Sequence, residues 1–266
     1  MLNGIEGTEE IIMTERQLIL NTLVYNDDVV AGTLQLDLLP KIVDLGVESV
    51  EVRREFFNDL ESELAVVAAK SQELGLSIYL SIPDMLFNEG GVLNPMFEQY
   101  VAEAEVLHSV AMKMNVGHFT EASDETLAEL RDKMSKTVKL NVENDQTELN
   151  GTMAPIKEFL TLAGAEDLNI DFVFDSANWR FVDEDEMVAA ELLYGHTDIL
   201  HLKNVIKAGD GLEVVPFDKG VIDWKALIES LPLGTPIALE YPTTSLESLR
   251  KDVNTLRAFV KQEEQS

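Results

Sequence analysis

The sequence contains no cysteine, which excludes disulfides, thiolate nucleophiles and cysteine-bound zinc or iron–sulfur centres. Positive charge is also scarce, since 20 Lys and Arg face 49 Asp and Glu and the net charge is −29. Nucleic-acid backbones and anionic membrane surfaces are bound by lysine and arginine, so a field of this sign repels both. We therefore expect no nucleic acid and no membrane as partner, and we expect a divalent cation and a small molecule instead.

Long apolar runs are missing as well. No run approaches the ~18 residues of a membrane span, and the N-terminal sequence MLNGIEGTEE has acids where a secretory signal needs positive charge. These absences predict a soluble, cytoplasmic protein. Because 45% of the residues are apolar, the chain can build a large core, and wholesale disorder is excluded.

A short β-rich run followed by a longer helical pattern recurs every ~31 residues, the size of a βα repeat. The predicted strands span residues 18–24, 49–53, 76–82, 116–120, 138–143, 170–175, 198–203 and 236–240. The predicted helices span residues 34–45, 59–74, 95–114, 124–134, 152–163, 183–193, 223–231 and 245–260. Eight equal units without a G-x-G-x-x-G turn favour a closed barrel over an open sheet. We predict one α/β domain over residues 1–266, a (β/α)8 TIM barrel with residues 1–16 as an N-terminal extension.

Four polar residues take the last inward position of four consecutive strands, where such barrels place catalytic groups. They are Glu143, Asp175, His201 and Glu240. Three carboxylates that converge on an apolar-walled mouth repel one another, and at least one has to be protonated unless a cation lies between them. A divalent metal ion removes this conflict and takes the imidazole as a neutral ligand. The oxygen-rich set suits Mn²⁺, Mg²⁺ or Co²⁺, with Zn²⁺ as the alternative.

Several segments around these residues form a recognisable set. They are GVESVEVRRE (46–55), NVEN (141–144), FDSANW (174–179), ILHLKN (199–204), GVIDWKALIESL (220–231) and ALEYP (238–242). With them the chain, from about Leu18 to its C-terminal helix, resembles the xylose isomerase-like barrels and, within these, the sugar phosphate isomerase/epimerase family. The resemblance implies that Glu143, Asp175, His201 and Glu240 bind one divalent metal ion. It also implies, as in ketose 3-epimerase relatives, that Glu143 and Glu240 act as acid and base on opposite faces of the substrate through an enediolate.

Two positions depart from the pattern of these relatives. Asn178 stands where epimerases often have a histidine, and Ser81 stands where many relatives have another at the end of the third strand. An amide can hydrogen-bond a hydroxyl group but does not change charge near neutral pH. The four histidines of the chain are also fewer than the three-zinc DNA-repair endonucleases of this superfamily need, which argues against a DNA endonuclease.

Further residues are expected to face the mouth. Glu51 and Arg53 alternate with valines on the second strand, and Lys203 follows His201 on the same face. Glu51 would accept hydrogen bonds from substrate hydroxyls, while Arg53 and Lys203 would pair with a substrate carboxylate or phosphate. The alternative is a network in which these three only neutralise one another. Other candidates for substrate contact are Asn178 and His118.

The favoured function is a metal-dependent isomerase or epimerase that acts on a sugar, a sugar phosphate or a polyol-derived hydroxy-carbonyl compound. One alternative is a lyase with the same proton abstraction followed by loss of water, of the inosose or dehydroshikimate dehydratase type. The other is a non-catalytic ligand-binding barrel that keeps the metal site. The resemblance leaves a homo-oligomer open, and the sequence shows no signature of an interface.

Overall fold

The computed structural model describes residues 16–263, so the N-terminal extension expected over residues 1–16 lies outside the described residues apart from Arg16. The strands are β1 (Leu18–Asn21), β2 (Ser49–Arg53), β3 (Ser77–Asn88), β4 (Val92–Leu93), β5 (Ala111–Gly117), β6 (Lys139–Glu143), β7 (Ile170–Asp175), β8 (Thr197–Leu202), β9 (Asn204–Ala208), β10 (Gly211–Val215) and β11 (Ile237–Leu239). The α-helices are α1 (Asn26–Val30), α2 (Gln35–Asp44), α3 (Leu60–Leu74), α4 (Phe97–Val106), α5 (Asp124–Lys133), α6 (Glu148–Gly151), α7 (Met153–Ala165), α8 (Glu186–Leu193), α9 (Trp224–Glu229) and α10 (Leu246–Glu263).

Eight of these strands pair in parallel and close into a barrel. Their order is β1–β2–β3–β5–β6–β7–β8–β11, and β11 pairs back with β1. Helices separate consecutive barrel strands and surround the barrel, which confirms the predicted (β/α)8 architecture. The predicted strands 49–53 and 170–175 match β2 and β7 residue for residue. Two antiparallel hairpins, β3–β4 and β9–β10, follow the carboxyl ends of barrel strands.

The side chains inside the barrel form layers, because alternate residues of a strand point to the same face. One layer is apolar and consists of Ile19, Tyr79, Ala111, Val173, Ile199 and Ala238. Two residues further along the same strands the interior face is polar and buried, with Asn21, Ser81, Lys113, Asp175, His201 and Glu240. The apolar layer is therefore the floor of a polar layer at the carboxyl ends of the strands.

The outer faces of the strands pack against the helices and connecting turns. Phe172 and Phe174 of β7 are fully buried, and the indole of Trp179 lies against both rings at centroid distances of 6.2 and 5.5 Å. Trp179 is therefore a core residue beneath the loop after β7. Among the helices of residues 16–263, none is both long and apolar enough to cross a membrane.

The fourth barrel strand differs from the prediction. The sequence predicts a helix over residues 95–114, but α4 already ends at Val106. It predicts the following strand over residues 116–120, but β5 begins at Ala111, so the predicted helix end and strand start are both wrong. Just after α4, His108 adopts the left-handed conformation, with a φ of 53°. Glycine usually fills this position after a helix, so its absence hid the helix end from the sequence pattern.

A tight contact fixes the long strand β3 against the end of β5. Gly117 ends β5 with a φ of +77°, and a Cβ at this residue would lie 2.1 Å from the backbone oxygen of Phe87. Only glycine combines this conformation with such a close approach. The part of β3 that continues beyond the predicted strand 76–82 is thereby held beside the mouth of the barrel.

Candidate metal centre and active site

The four residues predicted at the strand ends lie together. Glu143 and Asp175 are the last residues of β6 and β7, His201 is the last but one of β8, and Glu240 follows β11 directly. The parallel register sets Asp175 opposite His201. All four side chains are buried, and one potential ligand atom from each lies within 4.8 Å of the others.

His201 is fully buried and its two ring nitrogens face different carboxylates. Its Nε2 lies 2.7 Å from Oε2 of Glu51, and its Nδ1 lies 2.8 Å from Oε1 of Glu143 and 3.2 Å from Oε2 of Glu240. Burial alone would lower the pKa of His201, but the carboxylates of Glu51, Glu240 and Glu143 raise it well above its usual value. In the metal-free protein the imidazole is therefore positively charged near neutral pH.

Asp175 uses its two carboxylate oxygens differently. Oδ1 accepts hydrogen bonds from the backbone N–H groups of Ala177 and Asn178, both at 3.0 Å, which fixes the turn after β7. Oδ2 lies 2.5 Å from Nζ of Lys203. Burial raises the pKa of Asp175 to about 6, with Lys203 opposing the shift and Glu240 adding to it.

Glu240 has the largest set of cationic and polar partners in the cluster. Its Oε1 accepts from Arg53 Nη1 at 2.7 Å and from Asn21 Nδ2 at 3.2 Å, and its Oε2 accepts from Lys203 Nζ at 3.1 Å. Burial would raise the pKa of this carboxyl, but Lys203, Lys113 and His201 hold it well below its usual value. Glu240 is therefore ionised and tightly oriented.

Lys113 is the main residue of the site that the sequence analysis missed. It lies on β5 with its ammonium against Oε2 of Glu143, and it approaches Oε1 of Glu240 at 3.7 Å and Oε1 of Glu51 at 3.9 Å. Burial would raise the pKa of Glu143, but the positive charges of Lys113 and then of His201 lower it below its usual value. The incorrect extension of α4 placed Lys113 on a helix, although the alternation of Lys113 and Asn115 with apolar residues fits a strand.

Cationic side chains of this chain lie among the carboxylates of the cluster. The carboxylates are Glu51, Glu143, Asp175 and Glu240, and the cations are Arg53, Lys113, Lys203 and the protonated His201. The electrostatic argument from the sequence is therefore wrong in one respect, because side chains of this chain already relieve the repulsion between the carboxylates. Glu51, Arg53 and Lys203 form no ion pairs with one another, since each pairs with other residues of the site.

A cavity of about 330 Å³ opens at the carboxyl ends of the strands above this cluster. Its lining residues are Arg53, Ser81, Ile82, Pro83, Lys113, Asn115, Glu143, Asp145, Gln146, Thr147, Asn178, Lys203 and Glu240. This volume lies at the lower end of the range for ligand pockets, ~300–1,000 Å³. Arg53, Asn178 and Lys203, three of the predicted substrate-binding residues, thus border the cavity, whereas Glu51 lies against His201 below it.

Asn178 and His118 occupy different surroundings from each other. The amide of Asn178 donates from Nδ2 to the backbone oxygen of Asn144 at 2.8 Å and accepts at Oδ1 from Gln146 at 3.2 Å. His118 directly follows β5, just before a short helical turn; it is half-buried and does not belong to the cavity lining. Contact of either residue with a substrate stays a prediction.

The donor atoms of the cluster suit a metal ion. Oε1 of Glu143, Oδ2 of Asp175 and Nδ1 of His201 are buried and, despite their ionic neighbours, have no well-formed hydrogen bond within the described chain. Buried polar atoms of this kind normally have a partner. Because the carboxylate of Glu51 lies against Nε2, Nδ1 of His201 points toward Glu143 and Glu240. Metal-binding histidines are commonly oriented in this way, by a carboxylate that accepts from the ring nitrogen not bound to the metal. This buried cluster can bind a metal ion.

Solved structures of other proteins have the same barrel fold. No protein-family model matches the sequence, and no curated protein matches it. Among solved structures, L-ribulose 3-epimerase is similar with a TM-score of 0.70 and 15% identity, over 94% of this chain and 96% of that one. The probable 3-DHS dehydratase AsbF of Bacillus anthracis has a TM-score of 0.65 and 16% identity, over 90% and 98% of the two chains. The IolI protein, solved with a binding zinc atom, has a TM-score of 0.66 and 13% identity, over 91% and 96%.

At these identities the likeness shows the fold alone. Solved barrels described as xylose isomerase-like are among the similar structures as well. The fold of this chain is that of the xylose isomerase-like TIM barrels, which confirms the resemblance predicted from the sequence.

Proposed function

We propose that this protein is a divalent-metal-dependent isomerase or epimerase that acts on a small sugar or polyol-derived hydroxy-carbonyl compound. The observation that carries the proposal is the buried cluster of Glu143, Asp175, His201 and Glu240, with unsatisfied donor atoms directed toward one another beneath a cavity. The epimerases among the structurally similar proteins support the same reaction class. The oxygen-rich donor set favours Mn²⁺, Mg²⁺ or Co²⁺, and the zinc atom of IolI keeps Zn²⁺ as the alternative.

The roles of the residues follow from their contacts. A bound divalent cation supplies Lewis acidity, which polarises a carbonyl oxygen, acidifies the neighbouring C–H bond and stabilises the developing negative charge. Glu143 and Glu240 both border the cavity and lie on β6 and just after β11, so one can remove the proton and the other can return one from the opposite face. Arg53 and Asn21 hold the carboxylate of Glu240, and Lys113 holds that of Glu143.

The charged residues at the cavity favour the isomerase over a lyase with an acidic substrate. Such a lyase would need Arg53 or Lys203 to bind the substrate carboxylate. Arg53 instead pairs with Glu240 and, at 2.7 Å, with Glu55, and Lys203 pairs with Asp175 and Glu240. The dehydratase therefore remains the second candidate, on the likeness to the probable 3-DHS dehydratase alone.

Hydrogen exchange from solvent tests the proposal. Ketoses and keto-cyclitols would be incubated with the Mn²⁺-loaded protein in D₂O, and deuterium incorporation and products would be followed by NMR. We expect deuterium at the carbon next to the carbonyl group and no loss of water. Glu143→Gln and Glu240→Gln should each abolish the exchange, while Glu48→Gln, an exposed substitution at the opposite end of the barrel, should leave it unchanged.

Three other outcomes of the exchange experiment would each contradict a different part of the proposal. An active double variant with glutamine at positions 143 and 240 would contradict the two-glutamate assignment. Exchange followed by dehydration would identify the lyase. Metal binding without exchange into any of these compounds would favour the non-catalytic barrel.

A further inference from the structure

The ammonium of Lys203 lies on carboxylate oxygens that face the centre of the metal-binding cluster. Nζ is 2.5 Å from Oδ2 of Asp175 and 3.1 Å from Oε2 of Glu240. Among the described residues Oδ2 of Asp175 has no other partner, and Oε2 of Glu240 lies 3.2 Å from Nδ1 of His201. A lysine nitrogen thus occupies a bridging position between two of the atoms that would bind a cation.

We propose that Lys203 is an internal competitor of the metal ion: it neutralises Asp175 and Glu240 in the metal-free protein and withdraws from them when a divalent cation binds. The inference rests on the proposed function. The ammonium of Lys203 and the metal ion would occupy the same two oxygens in turn, Oδ2 of Asp175 and Oε2 of Glu240. Lys203 is therefore a residue that sets metal affinity.

The other two basic side chains, those of Arg53 and Lys113, contact different oxygens. Arg53 and Lys113 approach Oε1 of Glu240, and Lys113 lies against Oε2 of Glu143. Oε1 of Glu143, which faces His201, has no hydrogen bond from either cation. Arg53 and Lys113 can therefore keep their contacts while a metal ion binds, whereas Lys203 cannot.

The backbone around Lys203 is fixed, so its side chain alone has to move. The hydroxyl of Ser176 donates to the carbonyl oxygen of Lys203 at 2.7 Å, and the N–H of Lys203 donates back to this hydroxyl at 2.9 Å. The side chain borders the cavity of about 330 Å³. Its flexible four-carbon stem allows the ammonium to turn into that space.

The free energies of the two states give the direction of the effect. Removing Lys203 leaves two buried carboxylates with fewer counter-charges in the metal-free protein, which destabilises that state. The metal-bound state loses less, because the cation then supplies the charge. A neutral residue at this position should therefore strengthen metal binding and weaken the metal-free fold.

Calorimetric titration with Mn²⁺ tests this with Lys203→Met. We expect its Kd to be at least tenfold lower than that of the unmodified protein, which corresponds to about 1.4 kcal/mol. Lys139→Met is the matched control, because Lys139 lies at the opposite end of the barrel, paired with Asp171 and Asp198. It removes the same charge and should change the Kd less than threefold. Lys113→Met should strengthen binding less than Lys203→Met does.

Thermal unfolding with and without Mn²⁺ separates competition from a merely structural role. The Lys203→Met protein should unfold at a lower temperature without metal and gain more from Mn²⁺ than the unmodified protein. A structural role would lower both temperatures and leave the Kd unchanged. Lys203→Gln, which keeps a polar end without the charge, replaces the methionine variant if the latter does not fold.

The results also separate this inference from the proposed function. If the unmodified protein binds Mn²⁺ and neither Lys203 variant binds it more tightly, the competition is refuted while the metal centre stands. If no protein of the series, the unmodified chain included, binds a divalent cation, the proposed function fails and the inference fails with it.

Discussion

Replacing Glu51 with glutamine tests how the cluster is organised. Glu51 does not belong to the four proposed ligands, yet its Oε2 lies 2.7 Å from Nε2 of His201. Both side chains are buried, with 2% and 0% of their surface exposed, so water cannot take over the role of the carboxylate. The substitution keeps the size of the side chain and removes its negative charge.

The magnitude follows from the role of such carboxylates. A carboxylate that accepts from the second nitrogen of a metal-binding histidine orients the ring and increases its basicity, and its loss typically weakens metal affinity by ~10–100-fold. We expect a loss of this size for Glu51→Gln, about 1.4–2.7 kcal/mol. The loss should appear in the Kd, whereas the number of ions bound per chain stays at one.

The assay is calorimetric titration of the metal-free variant with Mn²⁺. Glu48→Gln serves as control, because Glu48 precedes the same strand, is exposed and carries the same charge. It should leave the Kd within about twofold. An unchanged Kd for Glu51→Gln in a folded protein would refute the idea that Glu51 orients His201.

Three further predictions concern stability and protonation. Gly117→Ala should lower the free energy of unfolding in chemical denaturation by at least about 1–2 kcal/mol, because of its positive φ and the close backbone oxygen of Phe87. Trp179→Ala should cost about 3–5 kcal/mol in the same assay, since the fully buried indole fills the space beneath the loop after β7. In the metal-free protein, NMR should show that His201 keeps its charge well above pH 6.5 and that Glu51→Gln lowers its pKa. Because the pKa of His201 is raised on folding, the charged imidazole stabilises the protein fully below pH ~6.5, and this stabilisation is lost as the pH rises through the folded-state pKa. A titration midpoint of His201 near pH 6.5 in the folded protein would contradict the prediction.

The parts of the fold with regular patterns were predictable from the sequence. The alternation of apolar and polar residues sufficed for β2 and β7, whose bounds agree with the prediction. The rule that barrel strands present functional groups at their carboxyl ends selected Glu143, Asp175, His201 and Glu240, which the structure brings together. Both rules use information within a single strand, and for that reason they work without a structure.

The cationic partners of those carboxylates were harder to predict from the sequence. Lys113 was missed because His108, just after α4, adopts the left-handed conformation at a position where the usual glycine signal is absent. Its partners Glu143, Glu51 and Glu240 come from other βα units, so no local pattern shows that basic side chains pair with these carboxylates. The layer pattern offers a signal that could have found it, since Lys113 follows the apolar Ala111 by two residues, as His201 follows Ile199.

The central claim is that one divalent cation binds among Glu143, Asp175, His201 and Glu240. Anomalous diffraction from crystals soaked in Mn²⁺ tests it most directly. We predict a single strong peak within bonding distance of the carboxylate oxygens and of Nδ1 of His201, with Nζ of Lys203 moved away from Asp175. Density that shows the ammonium of Lys203 still between Asp175 and Glu240 in Mn²⁺-soaked crystals, with no anomalous peak in the cluster, would contradict the claim.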